Sequence, residues 1–327
     1  MFQFPHKMKK VFKEEDVQNL FEKQGYVILD FYTPEEVDYL LSLYKNLHPQ
    51  DEKGFYPSTF SKDKTYRITA DEEIRRVGSR SMNLYLEDVK IVCGSFIIKS
   101  PGEDSIMDVH QDMTLVDESE FTGINIWCPL VDLTDDNGLL YALPESHRFA
   151  PTYRGASLPT LYKNVYEEVR QYSTPMYLKA GQAIIFDQSI LHWSKPNLSH
   201  QVRPVTNTYF THKDARFQIC YLDQANNKVE VFEQDDSFMT DFEQFGENIY
   251  DKPKIGKSKG FFEYDFPELT REELLKRFGK LNTELSPEIE PYSVTEEPTK
   301  NEEKATFLKT YTLPNIINEI KGRLKIN

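Results

Sequence analysis

Short apolar, β-branched runs separated by turn residues recur along this chain, and they constrain its fold more than any other feature. Segments 26–31, 89–98, 123–131, 139–143, 175–179, 183–187, 202–210 and 216–222 each read as a strand. Asn137-Gly138 lies between two of them, tolerates positive φ and predicts a hairpin. A series of short strands with turn signals between them predicts an all-antiparallel, mainly β protein with flanking helices. Its core is expected to be a double-stranded β-helix of the jelly-roll, cupin-like type.

The flanking helices are visible in the same way. Residues 14–24 place Val17, Leu20 and Phe21 on one helical face before Gly25. Thr33-Pro-Glu-Glu36 is a capping box with Pro at the first helical position, and Val37, Leu40, Leu41, Tyr44 and Leu47 follow at helical spacing. Residues 49–86 are polar and weakly periodic, and read as an excursion with one helix near 71–77. The insertion 148–175 holds a helical piece at 165–171. Both are expected to act as lids at the mouth of a site. Arg67, Arg75, Arg76 and Arg80 in the first read as a solvated face. An acidic extension with a helix over 270–278 completes one domain, 1–285. Residues 286–327 read as a Pro- and Glu-rich linker, then a tail with a short amphipathic helix at 313–324 that docks on the body or on a second protomer.

Composition removes several classes of function. The 327 residues carry a net charge of −14, which disfavours nucleic acid and anionic membrane surfaces as partners. No run reaches the ~18–20 apolar residues of a membrane span. Cys93, Cys128 and Cys220 are odd in number and widely spaced, as expected of reduced, buried thiols. The first residues, Met-Phe-Gln-Phe-Pro-His-Lys-Met-Lys-Lys, show no leader pattern, so a cytoplasmic protein is expected.

Chemistry concentrates in two places. His110-Gln111-Asp112 sets an imidazole and a carboxylate two apart on an extended segment, so both project the same way. Alone this is weak, since with seven His about half an H-x-D arises by chance. A distant His192, in His192-Trp193-Ser194, completes two imidazoles and one carboxylate, a set that holds non-haem Fe(II) with an open face. His200 and His212 compete for the distal position, but Ser194 at two residues and Arg203 at eleven frame His192. Lys99 points toward the same site if the alternation of its strand holds. His147 reads as a structural residue satisfied by the backbone. Asp117, Glu118 and Glu120 read as a solvated loop.

These residues resemble the phytanoyl-CoA dioxygenase family of Fe(II)/2-oxoglutarate-dependent oxygenases. The resemblance runs over about 17–222, through the opening 21–31, Trp127-Cys-Pro-Leu-Val-Asp132, Asn137-Gly-Leu139, Leu143-Pro-Glu-Ser-His147, His192-x-Ser194 and Arg203. It implies that His110, Asp112 and His192 bind iron. It also implies that Arg203 and Ser194 hold the far carboxylate of 2-oxoglutarate and that Trp127 lines that pocket. The family usually has Gly where Glu145 stands and often Asp where Gln182 stands.

With Fe(II), 2-oxoglutarate and O2, such a site is expected to hydroxylate an unactivated C–H bond of a small molecule with release of succinate and CO2, while desaturation, ring formation or epimerisation are open to the same oxidant. The carboxylate of Asp112 favours hydroxylation over halogenation, which would want that position open. An amino acid, a secondary metabolite or an acyl derivative is the expected substrate class, with the C-terminal region a candidate oligomer surface. Two rival readings are a Zn- or Ni-dependent hydrolase or isomerase, which leaves Arg203 and Ser194 without a task, and a non-catalytic binding module.

Overall fold

The computed structural model describes residues 9–48, 52–150, 152–241 and 249–281. The chain divides into compact units 1–291 and 292–327, and all the described residues belong to the first. The linker at 286–304 and the helix at 313–324 lie outside the described residues.

Helix α1 (Glu15–Gln24) ends on Gly25, whose φ of 86° is the left-handed C-cap that glycine favours. Val17 and Phe21 are buried as predicted, but Leu20 is exposed. Gln18 takes the inward place, because its side-chain carbonyl accepts the backbone N–H groups of Val11 and Phe12. Strand β1 (Tyr26–Asp30) leads to α2 (Pro34–Leu47), where the Thr33–Glu36 capping box is present in both directions. After β2 (Phe55–Pro57), the polar excursion is in fact one long helix, α3 (Lys64–Tyr85), capped by Asp63. Its arginines hid it from a hydrophobic pattern, and they are not a free face. Arg67 is buried and donates to the carbonyls of Ser61 and Thr240, while Arg75, Arg76 and Arg80 pair with Asp71, Glu73 and Glu36. Ile74 and Asp71 press on Gly94 of the next strand, so α3 covers the outer face of a sheet.

That sheet has six antiparallel strands in the order β1-β8-β5-β10-β3-β2, adding β3 (Val89–Lys99), β5 (Ile124–Pro129), β8 (Gln182–Asp187) and β10 (Arg203–His212). A second sheet of four runs β4-β9-β6-β7, from β4 (Met107–His110), β6 (Leu140–Ala142), β7 (Thr174–Met176) and β9 (His192–Ser194). The expected hairpin at Asn137-Gly138 is therefore not one. Strand β5 belongs to the large sheet and β6 to the small one, so the turn carries the chain from sheet to sheet. Gly138 is still required there, with φ 85° and Lys99 Cδ 2.6 Å from where a Cβ would sit.

The two sheets face each other in a jelly roll with an apolar filling that includes Tyr26, Trp127, Leu140, Met176, Ile184, Phe186 and Val205. The outer face of the small sheet is covered by the 148–175 insertion. Helix α5 (Tyr166–Tyr172), close to the predicted 165–171, puts Val169 against Val109 and Leu191. The short α4 (Ser146–Phe149) precedes that insertion. A third sheet, β11-β12-β13 (Phe217–Asp223, Lys228–Gln234, Lys257–Phe262), follows the sandwich. Only β11 was foreseen, because Lys and Glu alternate through β12 and mask its apolar positions. Helices α6 (Phe238–Asp241) and α7 (Arg271–Leu281) end the described chain, and Leu274 of α7 joins the cluster under the 148–175 insertion. The three cysteines are buried and free. Among the described residues, no helix is long and apolar enough to cross a membrane.

Candidate metal centre

The register of the small sheet creates the site. Strand β4 pairs antiparallel with β9 so that His110 stands opposite His192, and the two rings lie 4.1 Å apart. Asp112 follows two residues beyond His110. Between them Gln111 turns inward, where its amide nitrogen donates to the carbonyls of Ala150 and Ser189. The tip is pinned further by Asp112 N–H to Gln188 O (2.9 Å) and Gln111 N–H to the Tyr162 hydroxyl (2.9 Å). Donor atoms of His110, Asp112 and His192 consequently lie within 4.8 Å of one another.

The imidazoles are oriented by their own strands. Nδ1 of His110 is 2.7 Å from the carbonyl of Asp108, and Nδ1 of His192 is 3.0 Å from that of Ile190. A carbonyl can only accept, so Nδ1 carries the proton and Nε2 turns a lone pair inward. Asp112 Oδ1 is 3.8 Å from Nε2 of His110 and 4.0 Å from Nε2 of His192, leaving the space between three donors that an ion would fill. Burial, then the neighbouring His192, pushes the His110 pKa down to about 4, so its ring is a neutral, ligand-ready donor at ordinary pH. Two imidazole nitrogens and a carboxylate oxygen suit Fe(II), and equally Zn(II) or Ni(II).

The large sheet supplies what distinguishes these metals' chemistries. Arg203, at the start of β10, is 1% exposed, yet its Nε and Nη1 have no hydrogen-bond partner. Its guanidinium carbon lies 5.2 Å from the centre of the Trp127 ring. Burial pushes its pKa down to about 9, a measure of how poorly the charge is compensated. A buried guanidinium with unused donors calls for an anion, and a planar carboxylate fits its fork. Lys99 is the register partner of Arg203 on β3 and is fully buried. Its ammonium donates to the carbonyls of Ser194 (3.3 Å) and Lys195 (2.5 Å). Burial, then Arg203, pushes the Lys99 pKa down to about 6. Ser194 is buried on β9, opposite Met107 and Leu140.

The structure thus brings His110, Asp112 and His192 together, and sets Arg203 beside Trp127 and Lys99 on the large sheet, with Lys99 reaching the carbonyl of Ser194 on β9. The competing histidines stand elsewhere. His212 sits at the far end of β10 opposite Val89, and His200 is exposed in the turn after β9. His147 is buried in α4, with Nε2 on the carbonyl of Glu22 and its ring against Gly25. Glu118 departs from the solvated reading, since it forms a close two-pronged ion pair with buried Arg154, whose Nε donates to the carbonyl of Asp112 (2.6 Å). Sequence reasoning also passed over Asn125, whose amide donates to Asp112 Oδ2 at 2.6 Å. The signal was available, since Asn125 is a polar residue inside an apolar strand at the same parity as Trp127.

The phytanoyl-CoA dioxygenase (PhyH) family model matches residues 21–205, more than half of the chain and a stretch that includes His110, Asp112, His192, Ser194, Arg203, Trp127 and Lys99. A phytanoyl-CoA dioxygenase domain-containing protein 1 homolog of Dictyostelium discoideum is 30% identical over 127 residues, 36% of this chain and 45% of that protein. Phytanoyl-CoA dioxygenase 1 of Oryza sativa subsp. japonica is 25% identical over 133 residues, 38% of this chain and 45% of that one. The chain therefore spans about half the length of the curated relatives it matches. Among solved structures, EvdO2 from Micromonospora carbonacea var. aurantiaca complexed with 2-oxoglutarate is 21% identical, with TM-score 0.44 over 61% of this chain and 91% of that one. EctD from S. alaskensis with 2-oxoglutarate and 5-hydroxyectoine is 18% identical, with TM-score 0.45 over 63% and 79%. The chain belongs to the phytanoyl-CoA dioxygenase family.

Proposed function

We propose that this protein is an Fe(II)- and 2-oxoglutarate-dependent dioxygenase that hydroxylates an unactivated C–H bond of a small molecule, releasing succinate and CO2. The observation that carries the reading is the unpartnered, buried guanidinium of Arg203 over Trp127, across the sandwich from the donors of His110, Asp112 and His192. A hydrolase or isomerase using Zn or Ni would account for the three donors and leave Arg203 an uncompensated buried charge, which is costly.

In this reading His110, Asp112 and His192 hold the metal. Arg203 pairs with the far carboxylate of the co-substrate, Ser194 and Lys99 border that carboxylate, and Trp127 forms its apolar wall. Iron together with a 2-oxo acid would supply the electrons that activate O2, the 2-oxo acid being oxidised to succinate and CO2. The chain's own work is positional. The Nδ1 bonds to Asp108 and Ile190 hold both imidazoles with Nε2 inward, and the apolar filling around Trp127, Ile184 and Val205 excludes water from the co-substrate. Hydroxylation is the outcome we favour because Asp112 is a carboxylate and leaves no vacancy for halide. The small-molecule substrate is drawn from amino acids, secondary metabolites or acyl derivatives.

The test is anaerobic absorption of Fe(II)-loaded protein titrated with 2-oxoglutarate, for wild type and Arg203→Ala. A saturable charge-transfer band in wild type, with at least tenfold weaker apparent affinity in the variant, supports metal, co-substrate and clamp together. Iron-loaded, folded protein that shows no band rejects the oxygenase and favours the Zn-type enzyme.

A further inference from the structure

The two oxygens of Asp112 have different surroundings. Oδ1 faces the two imidazole Nε2 atoms at 3.8 and 4.0 Å. Oδ2 turns away and accepts from Asn125 Nδ2 at 2.6 Å. An ionised carboxylate only accepts, so the amide nitrogen of Asn125 must face it, and the amide oxygen must face the other way. There Asn207 Nδ2 donates to Asn125 Oδ1 at 3.1 Å. Asn125 is 4% exposed on β5, and Asn207 stands on β10 at the same inward parity as Arg203 and Val205. Each amide in the chain Asn207–Asn125–Asp112 thus fixes the orientation of the next, from the sheet to the carboxylate.

A carboxylate can bind a metal through one oxygen or chelate it through both. The difference matters for this site. Three protein donors would leave the other positions of a bound ion open to the co-substrate and O2. Chelation by Asp112 would remove one of them.

We propose that Asn125 is a positioning residue that holds Asp112 to single-oxygen coordination, with Asn207 as the group that keeps the Asn125 amide facing the right way. This rests on the metal and co-substrate assignment made above. Asn125 does not touch the reacting atoms in this role; it withholds Oδ2 from the metal and so preserves a position for the co-substrate.

The proposal makes opposite demands on two affinities. In Asn125→Leu, which suits a buried strand position, Oδ2 is released. Co(II) binding, followed by its visible absorption, is expected to stay within about threefold of wild type or to tighten, while the d–d bands change shape. Affinity for 2-oxoglutarate is expected to fall at least tenfold. Asn125→Ser, whose hydroxyl can donate to Oδ2, should recover most of that loss, and Asn207→Leu should show a smaller loss of the same kind. Far-UV circular dichroism and melting midpoints establish that each variant is folded. Weakened Co(II) binding with unchanged 2-oxoglutarate affinity, or variants indistinguishable from wild type, would overturn the proposal. Should Asn125→Leu not fold, Asn207→Leu with wild-type 2-oxoglutarate affinity overturns it equally. Wild-type protein that binds Co(II) but no 2-oxoglutarate removes the functional reading itself, and the proposal with it.

Discussion

Lys99 and Arg203 are register partners across the β3–β10 ladder, two cations side by side in the interior with no carboxylate of the described chain set against them. An arginine does not surrender its proton, so the lysine is the partner that does. Phe55, whose ring centre lies 6.0 Å from the Lys99 ammonium, adds no charge, and the other contacts are the carbonyls of Ser194 and Lys195.

A proton should therefore accompany anion binding. Burial, then Arg203, pushes the Lys99 pKa down to about 6 in the free protein, and a bound carboxylate would raise it toward the ordinary lysine value. Below pH 6 the lysine is charged in both states and affinity is flat. Above it, binding requires proton uptake, so affinity for 2-oxoglutarate falls as pH rises. Calorimetry at pH 7.5 in two buffers of different ionisation enthalpy should report uptake of about one proton, absent in Lys99→Met. Equal heats in both buffers for wild type would contradict the expectation.

The ion pair of Arg154 and Glu118 is enclosed, with side-chain exposures of 7% and 14%. Removing one partner strands the other charge. Arg154→Met should cost about 3–5 kcal/mol, and adding Glu118→Gln should return a large part of it. Urea unfolding of both single variants and the double variant measures the coupling. Simple additivity would show that the pair acts as two independent residues.

Glu145 occupies the left-handed region at φ 63°. That conformation explains why the family's preference there is glycine. Glu145→Gly should stabilise by about 0.5–1 kcal/mol, since it relieves the strain and loses only an ion pair to Arg148 at 3.9 Å. Thermal unfolding is the check, and a lower midpoint would show that the side chain has another task.

His48 closes α2 inside an aromatic nest with Tyr44, Tyr56 and Tyr66, and burial pushes its pKa down to about 4. The unfolded chain takes up that proton near pH 6.5. Unfolded protein thus binds more protons between the two values, and stability falls as pH drops from 6.5 toward 4, by about 2–3 kcal/mol in all. His48→Gln should flatten this limb in urea titrations at pH 7, 6 and 5. An unchanged slope would place the acid sensitivity elsewhere.

Much of this architecture was legible because its signals are local. The β-branched runs give strands, Thr33-Pro-Glu-Glu36 gives a cap, and His110, Asp112, His192 and Arg203 share a chemistry that few residue types support. What stayed hidden is non-local. Helix α3 carries arginines whose partners lie on other elements, as Arg80 with Glu36 and Arg67 with the carbonyl of Thr240, so its sequence reads as solvated although it is packed. Asn137-Gly138 fits a hairpin by conformation, and only the pairing of β6 with β9 and β7 shows that it links two sheets. Glu118 looks like a surface acid until Arg154, 36 positions away, is placed beside it. Asn125 was within reach of strand parity, but its importance depends on which oxygen of Asp112 it meets.

The division of the site between sheets has a mechanical consequence. The three donors stand on or beside the small sheet, whereas Arg203, Trp127 and Lys99 stand on the large one. In the proposed binding mode a dicarboxylate reaching from the donors to Arg203 would be a rivet through both layers, seated only when they are in register. Its binding free energy then adds to the cohesion of the sandwich, about 2.7 kcal/mol at a hundredfold excess over Kd. The empty sandwich should breathe along the seam between β4–β9 and β10, and filling it should close that seam to hydrogen exchange before any substrate arrives.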